Sequence, residues 1–470
     1  MNEIELRLAR LRELMKREHL SAFIFPSTDA HQSEYVADHW RGREWISGFN
    51  GSAGTAVVTM KSAALWTDSR YFLAAEEQLE GTEYQLMKLK IEGTPTIAEW
   101  LEKELQDVQS PEVGLDGMVN SYNYVKDLIY SLRKLGGITL RTNLDPLAQI
   151  WENRPSLPAN PVEIQPLEYA GETLASKVAR IRKSLRELHA DGMLVSALDD
   201  IAWTLNLRGT DVHCNPVFVS YLLIESGKVS LFVDDNKLSP EVKQYLQDNQ
   251  VSLYKYNKVE KCLESYSEYN ILLDGDETSY YLWKAVKCQE IVAAGSPIPA
   301  MKAVKNKAEI EGYRSAMLKD GVAMVKFLKW LKPAVEAGGQ TEISIDEKLT
   351  SLRAEQKLFR DISFDTIAGY AQHGAIVHYE ATPETDVVLK PEGLILIDSG
   401  AQYQDGTTDI TRTIALGPVS QEMKHVYTLV LKAHIQLELV KFPDGASGTQ
   451  LDAVGRECMW REGYNFLHGT

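Results

Sequence analysis

The fold is decided by one stretch, Gly393-Leu-Ile-Leu-Ile-Asp398-Ser-Gly-Ala-Gln-Tyr-Gln-Asp405-Gly-Thr-Thr-Asp409-Ile-Thr-Arg-Thr413. Its first half is a continuous apolar run that ends in a carboxylate, which is typical of a buried strand. Its second half contains β-branched residues that favour a strand, and residues common in turns lie between the two halves. The stretch therefore predicts a β-hairpin with a long turn.

A regular hairpin centred on that turn places Asp398 and Asp409 directly opposite each other. Opposed Cβ atoms lie about 4.5–5.5 Å apart, and two like charges at that distance destabilise a sheet. Either a proton shared by the two carboxyl groups or a divalent cation offsets the repulsion. Oxygen ligands with imidazole nearby suit Mn, Fe, Co or Zn. Asp405 is instead predicted to be a solvated turn residue, because aspartate is common in turns.

Composition and charge exclude several classes of protein. A chain of 470 residues should hold about three domains at roughly 150 residues each. The net charge of −16 argues against a nucleic acid or an anionic membrane as partner, because such binding depends on Lys and Arg patches. No stretch approaches the roughly 20 apolar residues of a membrane span. The four cysteines have no paired spacing, so the expected compartment is the reducing cytoplasm.

The opening of the chain recurs in its middle. Lys177-Val-Ala-Arg-Ile-Arg182 repeats Arg7-Leu-Ala-Arg-Leu-Arg12, and a short apolar strand follows each copy. Alternating helices and strands predict an α/β architecture. We therefore expect two copies of one α/β module, a first module at residues 1–157 and a second module at residues 158–302, joined by a proline-rich linker.

The third region, residues 303–470, has a different order of elements. Lys307 begins a long helix that Pro333 is expected to end, because proline breaks helices. A shorter helix, a group of strands and two further helices follow, so this region is expected to be α+β. Apolar segments predict the strands at residues 364–367, 375–379, 394–397 and 409–414.

The hairpin sequence from Asp398 to Thr413 resembles the metal-binding hairpin of the Xaa-Pro aminopeptidases (aminopeptidase P), in the creatinase and methionine aminopeptidase "pita-bread" superfamily. Two further segments, Trp203-Thr-Leu-Asn-Leu-Arg-Gly-Thr-Asp211 and Ile150-Trp-Glu-Asn-Arg-Pro155, resemble the middle domain and the linker of three-domain members. The resemblance implies two creatinase-like modules followed by a pita-bread metallopeptidase domain that is incomplete at its C-terminal end.

The resemblance also implies an active site. Asp398 and Asp409 match the two aspartates that ligate a dinuclear centre, expected here to hold two Mn²⁺, with Zn or Co as alternatives. By itself, His378 at the end of an apolar segment is more often structural than catalytic, but it matches the family histidine that lines the substrate site and donates to an oxyanion. His468 matches a histidine that assists proton transfer, for which a pKa near 6.5 is suited. His373 is expected to lie in a loop.

The activity implied by the resemblance is metal-dependent release of the N-terminal residue from peptides with proline in second position, by a cytoplasmic homodimer. The family pattern has a metal-binding histidine four positions after His468 and two glutamates further on. We therefore expect the 470-residue chain to be a fragment of a longer protein and inactive by itself. The alternatives are a prolidase-type dipeptidase and a metal-free pita-bread binding module. No zincin, serine-hydrolase or phosphate-loop motif occurs in the sequence.

Overall fold

A computed structural model describes residues 2–466 and 468 of the chain. The first module is a six-stranded sheet with helices on both faces. Its first helix begins at Glu3 and is capped by Asn2, whose side chain forms a capping box with Glu5. Its helices are α1 (Glu3–Arg17), α2 (Gly42–Ser47), α3 (Phe72–Gln78), α4 (Ile97–Glu104), α5 (Tyr122–Gly136) and α6 (Leu147–Ile150). Its strands are β1 (Ala22–Phe25), β2 (Thr55–Thr59), β3 (Ala63–Thr67), β4 (Tyr84–Lys88), β5 (Glu112–Leu115) and β6 (Thr139–Arg141).

The second module contains a second six-stranded sheet. The helices assigned to it are α7 (Leu167–Ala170), α8 (Leu174–Glu187), α9 (Leu198–Leu205), α10 (Pro240–Asp248), α11 (Val259–Glu264), α12 (Tyr280–Ala285) and α13 (Ile298–Ala303). The strands are β7 (Glu163–Ile164), β8 (Gly192–Val195), β9 (Leu207–Arg208), β10 (Ser220–Glu225), β11 (Val229–Val233), β12 (Val251–Lys255), β13 (Asn270–Leu273) and β14 (Glu290–Ala293).

The two sheets have the same topology. Their strand orders are β4-β3-β2-β1-β5-β6 and β12-β11-β10-β8-β13-β14. In both, the central strand pairs antiparallel with its neighbour on one side and parallel with its neighbour on the other. Every residue of β1 and β8 is buried, because helices cover both faces of each sheet. The predicted repeat of one α/β module is confirmed.

The third region carries two three-stranded sheets, β15-β18-β19 and β16-β17-β20. Its helices are α14 (Lys307–Ala337), α15 (Glu342–Ala354), α16 (Gln421–Leu439) and α17 (Gly448–Trp460). Its strands are β15 (Phe359–Ile362), β16 (Ile367–Tyr370), β17 (Leu394–Ser399), β18 (Ala401–Tyr403), β19 (Gly406–Thr407) and β20 (Ile410–Ala415). Among the described residues, no helix is long and apolar enough to cross a membrane.

The long helix α14 continues past Pro333 to Ala337, so the prediction that proline ends it was wrong. Proline removes one helical hydrogen bond. Leu331 and Val335, on either side of it, are both buried in the core that α14 shares with α15 and the sheet. Their packing stabilises the helix through the proline.

Two of the four strands predicted in the third region were misplaced. Of the strand expected at 364–367, only Ile367 lies in a strand, as the first residue of β16, and no strand forms at 375–379. Residues 371–375 are a short 3₁₀ turn instead. The chain reverses here because Gly369 and Gly374 approach so closely that a Cβ on Gly369 would lie 2.8 Å from the Gly374 backbone. The two strands of the hairpin, β17 and β20, form where they were predicted.

The register of the hairpin differs from the predicted one. Asp398 of β17 pairs with Thr411 of β20, and Asp409 lies one residue before β20 begins. The inner strands β18 and β19 continue the same register around a turn at Gln404 and Asp405. This turn is centred one residue later along the chain than direct pairing of the two aspartates requires.

The sequence predicted that Asp405 is a solvated turn residue, and this prediction was wrong. Its carboxylate forms an ion pair with Lys319 of α14 at 2.6 Å, and its side chain is only 5% exposed. The turn lies against α14 at Gly312, where a Cβ would meet the carbonyl oxygen of Asp405 at 2.1 Å. The tip of the hairpin is therefore fixed to the long helix.

Candidate active site

The three parts of the chain meet around a cavity of about 930 Å³. Tyr71 of the first module and His213 of the second line one part of it. The third region contributes Asp398, Asp409 and His378. The cavity therefore brings together three of the four predicted site residues.

Asp398 and Asp409 lie side by side at the floor of this cavity. Ile395 and Ile397 are buried in the core below β17, so the alternation of a strand turns Asp398 to the opposite face. The hydroxyl of Thr411, its partner across the ladder, donates to Asp398 Oδ1 at 2.7 Å. Gly400 allows the following turn, because a Cβ there would lie 2.0 Å from the carbonyl oxygen of Thr408.

The two carboxyl groups are close enough to share a proton. Partial burial raises the pKa of Asp409, and the charge of Asp398 and a hydrogen bond between the two groups raise it further. A divalent cation would remove this repulsion, since a bound cation reverses the local effect on pKa. Two carboxylates facing a cavity are hard oxygen ligands of the kind that divalent ions prefer. The residues present therefore fit a metal site.

The sequence predicted that His378 ends a strand, and this prediction was wrong. His378 lies in an irregular segment and has a left-handed φ of 58°. Its Nδ1 is 2.6 Å from the hydroxyl of Tyr71, and that hydroxyl is 2.6 Å from Ser52 Oγ. Burial lowers the pKa of His378, and the nearby Arg70 and His468 lower it further. The imidazole is therefore neutral at pH 7.

The contact with Tyr71 assigns the tautomer of His378. A phenol is the stronger acid of the pair, so we assign its O–H as the donor and Nδ1 as the acceptor. A neutral imidazole that accepts at Nδ1 carries its hydrogen on Nε2. The Nε2–H group is then available as a donor within the cavity. The first module thus sets the hydrogen-bonding state of a residue in the third region.

A buried carboxylate holds the segment that carries His378. Glu342, at the start of α15, is fully buried. It accepts hydrogen bonds from the backbone N–H of Tyr370 at 2.7 Å, from His373 Nδ1 at 3.0 Å and from the Tyr379 hydroxyl at 2.9 Å. His373 was predicted to lie in a loop, and it is in the 3₁₀ turn with this specific partner. The three bonds fix both ends of the turn that leads to His378.

His468 lies beside His378, with 6.3 Å between the ring centroids. Its backbone carbonyl accepts a hydrogen bond from Arg456 of α17 at 2.7 Å. Its neighbours Leu467, Gly469 and Thr470 lie outside the described residues. The structure thus brings together all four residues that the sequence suggested: two carboxylates and two imidazoles.

Tyr71 and Glu342 were not predicted from the sequence. Each acts on the third region's 370–379 segment from a distant position in the chain, and neither lies in a motif that indicates catalysis. Tyr71 does fall in Asp68-Ser-Arg-Tyr71, a polar segment just before α3. Its contact with His378 depends on how the first module packs, which local sequence patterns do not reveal.

Three models of known protein families match successive parts of the chain. Two family models, both described as the creatinase/prolidase N-terminal domain, match residues 7–140 and 153–309. A third, metallopeptidase family M24, matches residues 311–470. The predicted fold class, two creatinase-type modules followed by a pita-bread domain, is confirmed.

Relatives that align with nearly the whole of this chain identify the family. A probable Xaa-Pro aminopeptidase P of Paracoccidioides brasiliensis (strain Pb03) is 38% identical over 481 residues, covering 99% of this chain and 77% of the relative. One of Botryotinia fuckeliana is 39% identical over 485 residues, covering 99% and 72%. The chain belongs to the Xaa-Pro aminopeptidase P family. A solved family structure, the X-prolyl aminopeptidase of Caenorhabditis elegans, superposes with a TM-score of 0.94 at 33% identity, covering 100% of this chain and 79% of that one. That protein is a cytosolic enzyme with a di-nuclear active site.

Glu342→Gln tests whether the buried carboxylate holds the segment around His378. Glutamine cannot accept at both terminal positions, so one buried donor loses its partner. We expect the free energy of unfolding to fall by about 1–3 kcal/mol. We also expect amide hydrogen exchange in residues 370–379 to quicken. Glu384→Gln, at an exposed position of the same region, is the control. Equal exchange rates in the two variants would contradict the role of Glu342.

Tyr71→Phe tests the assigned tautomer. In the wild-type protein, ¹⁵N NMR should show His378 with its hydrogen on Nε2, and it should titrate below pH 6.5 because its pKa is lowered. Removing the phenol hydroxyl frees Nδ1, so we expect the other tautomer to become populated. Tyr84→Phe removes a buried hydroxyl that donates to Ile46 instead and should leave the His378 signals unchanged. Wild-type spectra with the hydrogen on Nδ1 would disprove the assignment.

Proposed function

We propose that this protein is a metal-dependent aminopeptidase that releases the N-terminal residue from peptides with proline in second position. The observation that carries the proposal is the pair of hydrogen-bonded carboxylates, Asp398 and Asp409, beside a neutral imidazole in a cavity formed by all three parts of the chain. Membership of the Xaa-Pro aminopeptidase P family supports the same activity.

Asp398 and Asp409 are the proposed ligands of two divalent cations, which we propose to be Mn²⁺, with Zn or Co as alternatives. When bound, such a pair of cations polarises the scissile carbonyl and acidifies a water molecule. The two carboxylates are suited to this role because their mutual repulsion is relieved by a cation. Thr411 orients Asp398 by its hydrogen bond to Oδ1.

His378 and His468 are the proposed catalytic side chains. His378 both binds substrate and, through its Nε2–H, donates a hydrogen bond to the oxygen on which negative charge develops. Hydrogen-bond donors held in place before reaction stabilise such charge effectively. The hydrogen bond from Tyr71 and the Glu342 contacts keep this donor in place. His468, beside it, is proposed to assist proton transfer to the leaving amine.

We further propose a cytoplasmic homodimer. Exposed apolar side chains on α14 support association with a second copy, since a contiguous apolar patch of this kind favours burial. The exposed large apolar side chains of this helix are Ile310, Tyr313, Met317, Leu318, Val322 and Val325. The negative net charge of the chain disfavours nucleic acid or an anionic membrane as partner.

Peptide hydrolysis by the protein loaded with Mn²⁺ tests the function. We expect release of the first residue from Xaa-Pro-Yaa tripeptides and much slower release from Xaa-Ala-Yaa. Asp398→Asn should lower kcat/KM by about 100-fold or more, because loss of even an outer-shell partner costs about 10–100-fold in metal affinity. Asp444→Asn, at an exposed loop position, is the control.

The same assay separates the alternatives. A prolidase-type dipeptidase would cleave Xaa-Pro and leave the tripeptide intact. A metal-free binding module would cleave neither and would not respond to chelation. Equal turnover of the proline and alanine tripeptides would contradict the proposed selectivity, and activity that survives removal of divalent metal would contradict the mechanism.

A further inference from the structure

A second cluster of ligating side chains lies in the wall of the cavity, apart from the paired aspartates. His213 and Cys214 belong to the loop between β9 and β10 of the second module, and Asp365 belongs to the segment between β15 and β16. His213 Nε2 is 2.7 Å from Asp365 Oδ1. One ligand atom from each residue lies within 4.8 Å of the other two. Within residues 2–466 and 468, no other group of three His, Cys, Asp or Glu side chains meets this spacing.

Cys214 takes no part in the ion pair between His213 and Asp365. It is buried, and its Sγ makes no hydrogen bond to any of the described residues. Its backbone carbonyl accepts from Gln402 Nε2 at 3.0 Å, which fixes the loop against β18. The thiol is therefore held next to the His213–Asp365 pair.

The surroundings of the thiol are strongly negative. Burial raises the pKa of Cys214 to about 12, and the charges of Asp365, Asp361 and Glu380 contribute. Without a cation the thiol stays protonated. The same three carboxylates create a potential that attracts a divalent cation, and a coordinating thiol loses its proton when such an ion binds.

We propose that His213, Cys214 and Asp365 form a second metal site, which binds one transition ion such as Zn²⁺ or Co²⁺. Imidazole nitrogen, thiolate sulfur and carboxylate oxygen are the ligands that zinc takes in proteins, at about 2.0–2.3 Å from the ion. On binding, the ion forms a bond to Sγ and the thiol proton passes to solvent. Tetrahedral coordination sets ligand atoms about 3.3–3.8 Å apart. His213 and Asp365 are half-exposed and free to make this adjustment.

The proposed ion would join the second module to the third region. Its ligands come from both, and all three line the cavity that also contains Asp398 and Asp409. An ion at this position fixes the spacing of the two parts at the cavity wall. The proposal is independent of the proposed peptidase activity, because it concerns different ligands and a different donor set.

Cobalt binding to the metal-stripped protein tests the proposal. A thiolate bound to Co²⁺ gives a charge-transfer absorption in the near ultraviolet, whereas the carboxylates Asp398 and Asp409 offer no sulfur. We expect the band in the wild-type protein, in Asp398→Asn and in Cys288→Ser, a control cysteine of the same module. We expect Cys214→Ser to lose it.

The variant His213→Ala retains the thiol and alters only a half-exposed side chain. It therefore tests the site even if Cys214→Ser does not fold. Outer-shell partners contribute about 10–100-fold to metal affinity, so loss of a direct ligand should weaken Co²⁺ binding by more than tenfold. Absence of the band in the wild-type protein would overturn the proposal. A band that survives in Cys214→Ser, or an unchanged Co²⁺ affinity in His213→Ala, would also overturn it.

Discussion

Two carboxylates held in hydrogen-bonding contact repel each other unless a proton or a cation lies between them, and the hairpin of the third region places Asp398 and Asp409 in this contact. The ladder of β17 and β20 fixes one side of the pair. At the other end of the hairpin, the ion pair of Asp405 with Lys319 fixes the turn against α14. Burial raises the pKa of Asp409, and the charge of the adjacent Asp398 and a hydrogen bond between the two groups raise it further.

The second constraint is the position of His378, whose left-handed backbone is unfavourable for a residue with a side chain. Such a conformation persists only where the surrounding structure determines it. Here Glu342 holds the preceding turn from below, and Tyr71 holds the imidazole from the first module. The first module therefore contributes to the candidate active site through a hydrogen bond.

Local sequence patterns predicted the repeated module and the two strands of the hairpin, because both depend on apolar periodicity and turn residues near in sequence. These patterns gave wrong predictions where contacts between residues far apart in the sequence determine the local structure. Packing of Leu331 and Val335 carries α14 through Pro333, and contact with α14 buries Asp405. The approach of Gly369 to Gly374 replaces an expected strand by a turn. For the site, the four residues found from the hairpin and its family resemblance come together, whereas Tyr71 and Glu342 depend on tertiary packing.

The most direct test of the proposed metal site is a crystal structure of the protein grown with Mn²⁺, with anomalous diffraction used to locate the ions. We expect anomalous peaks at about 2.0–2.2 Å from carboxylate oxygens of Asp398 and Asp409, a range typical of metal–carboxylate bonds. We also expect that the two carboxyl groups no longer share a hydrogen bond, as binding of the metal by both groups requires. A fully ordered hairpin with the carboxylates still hydrogen-bonded to each other and no anomalous peak beside them would contradict the proposed metal site.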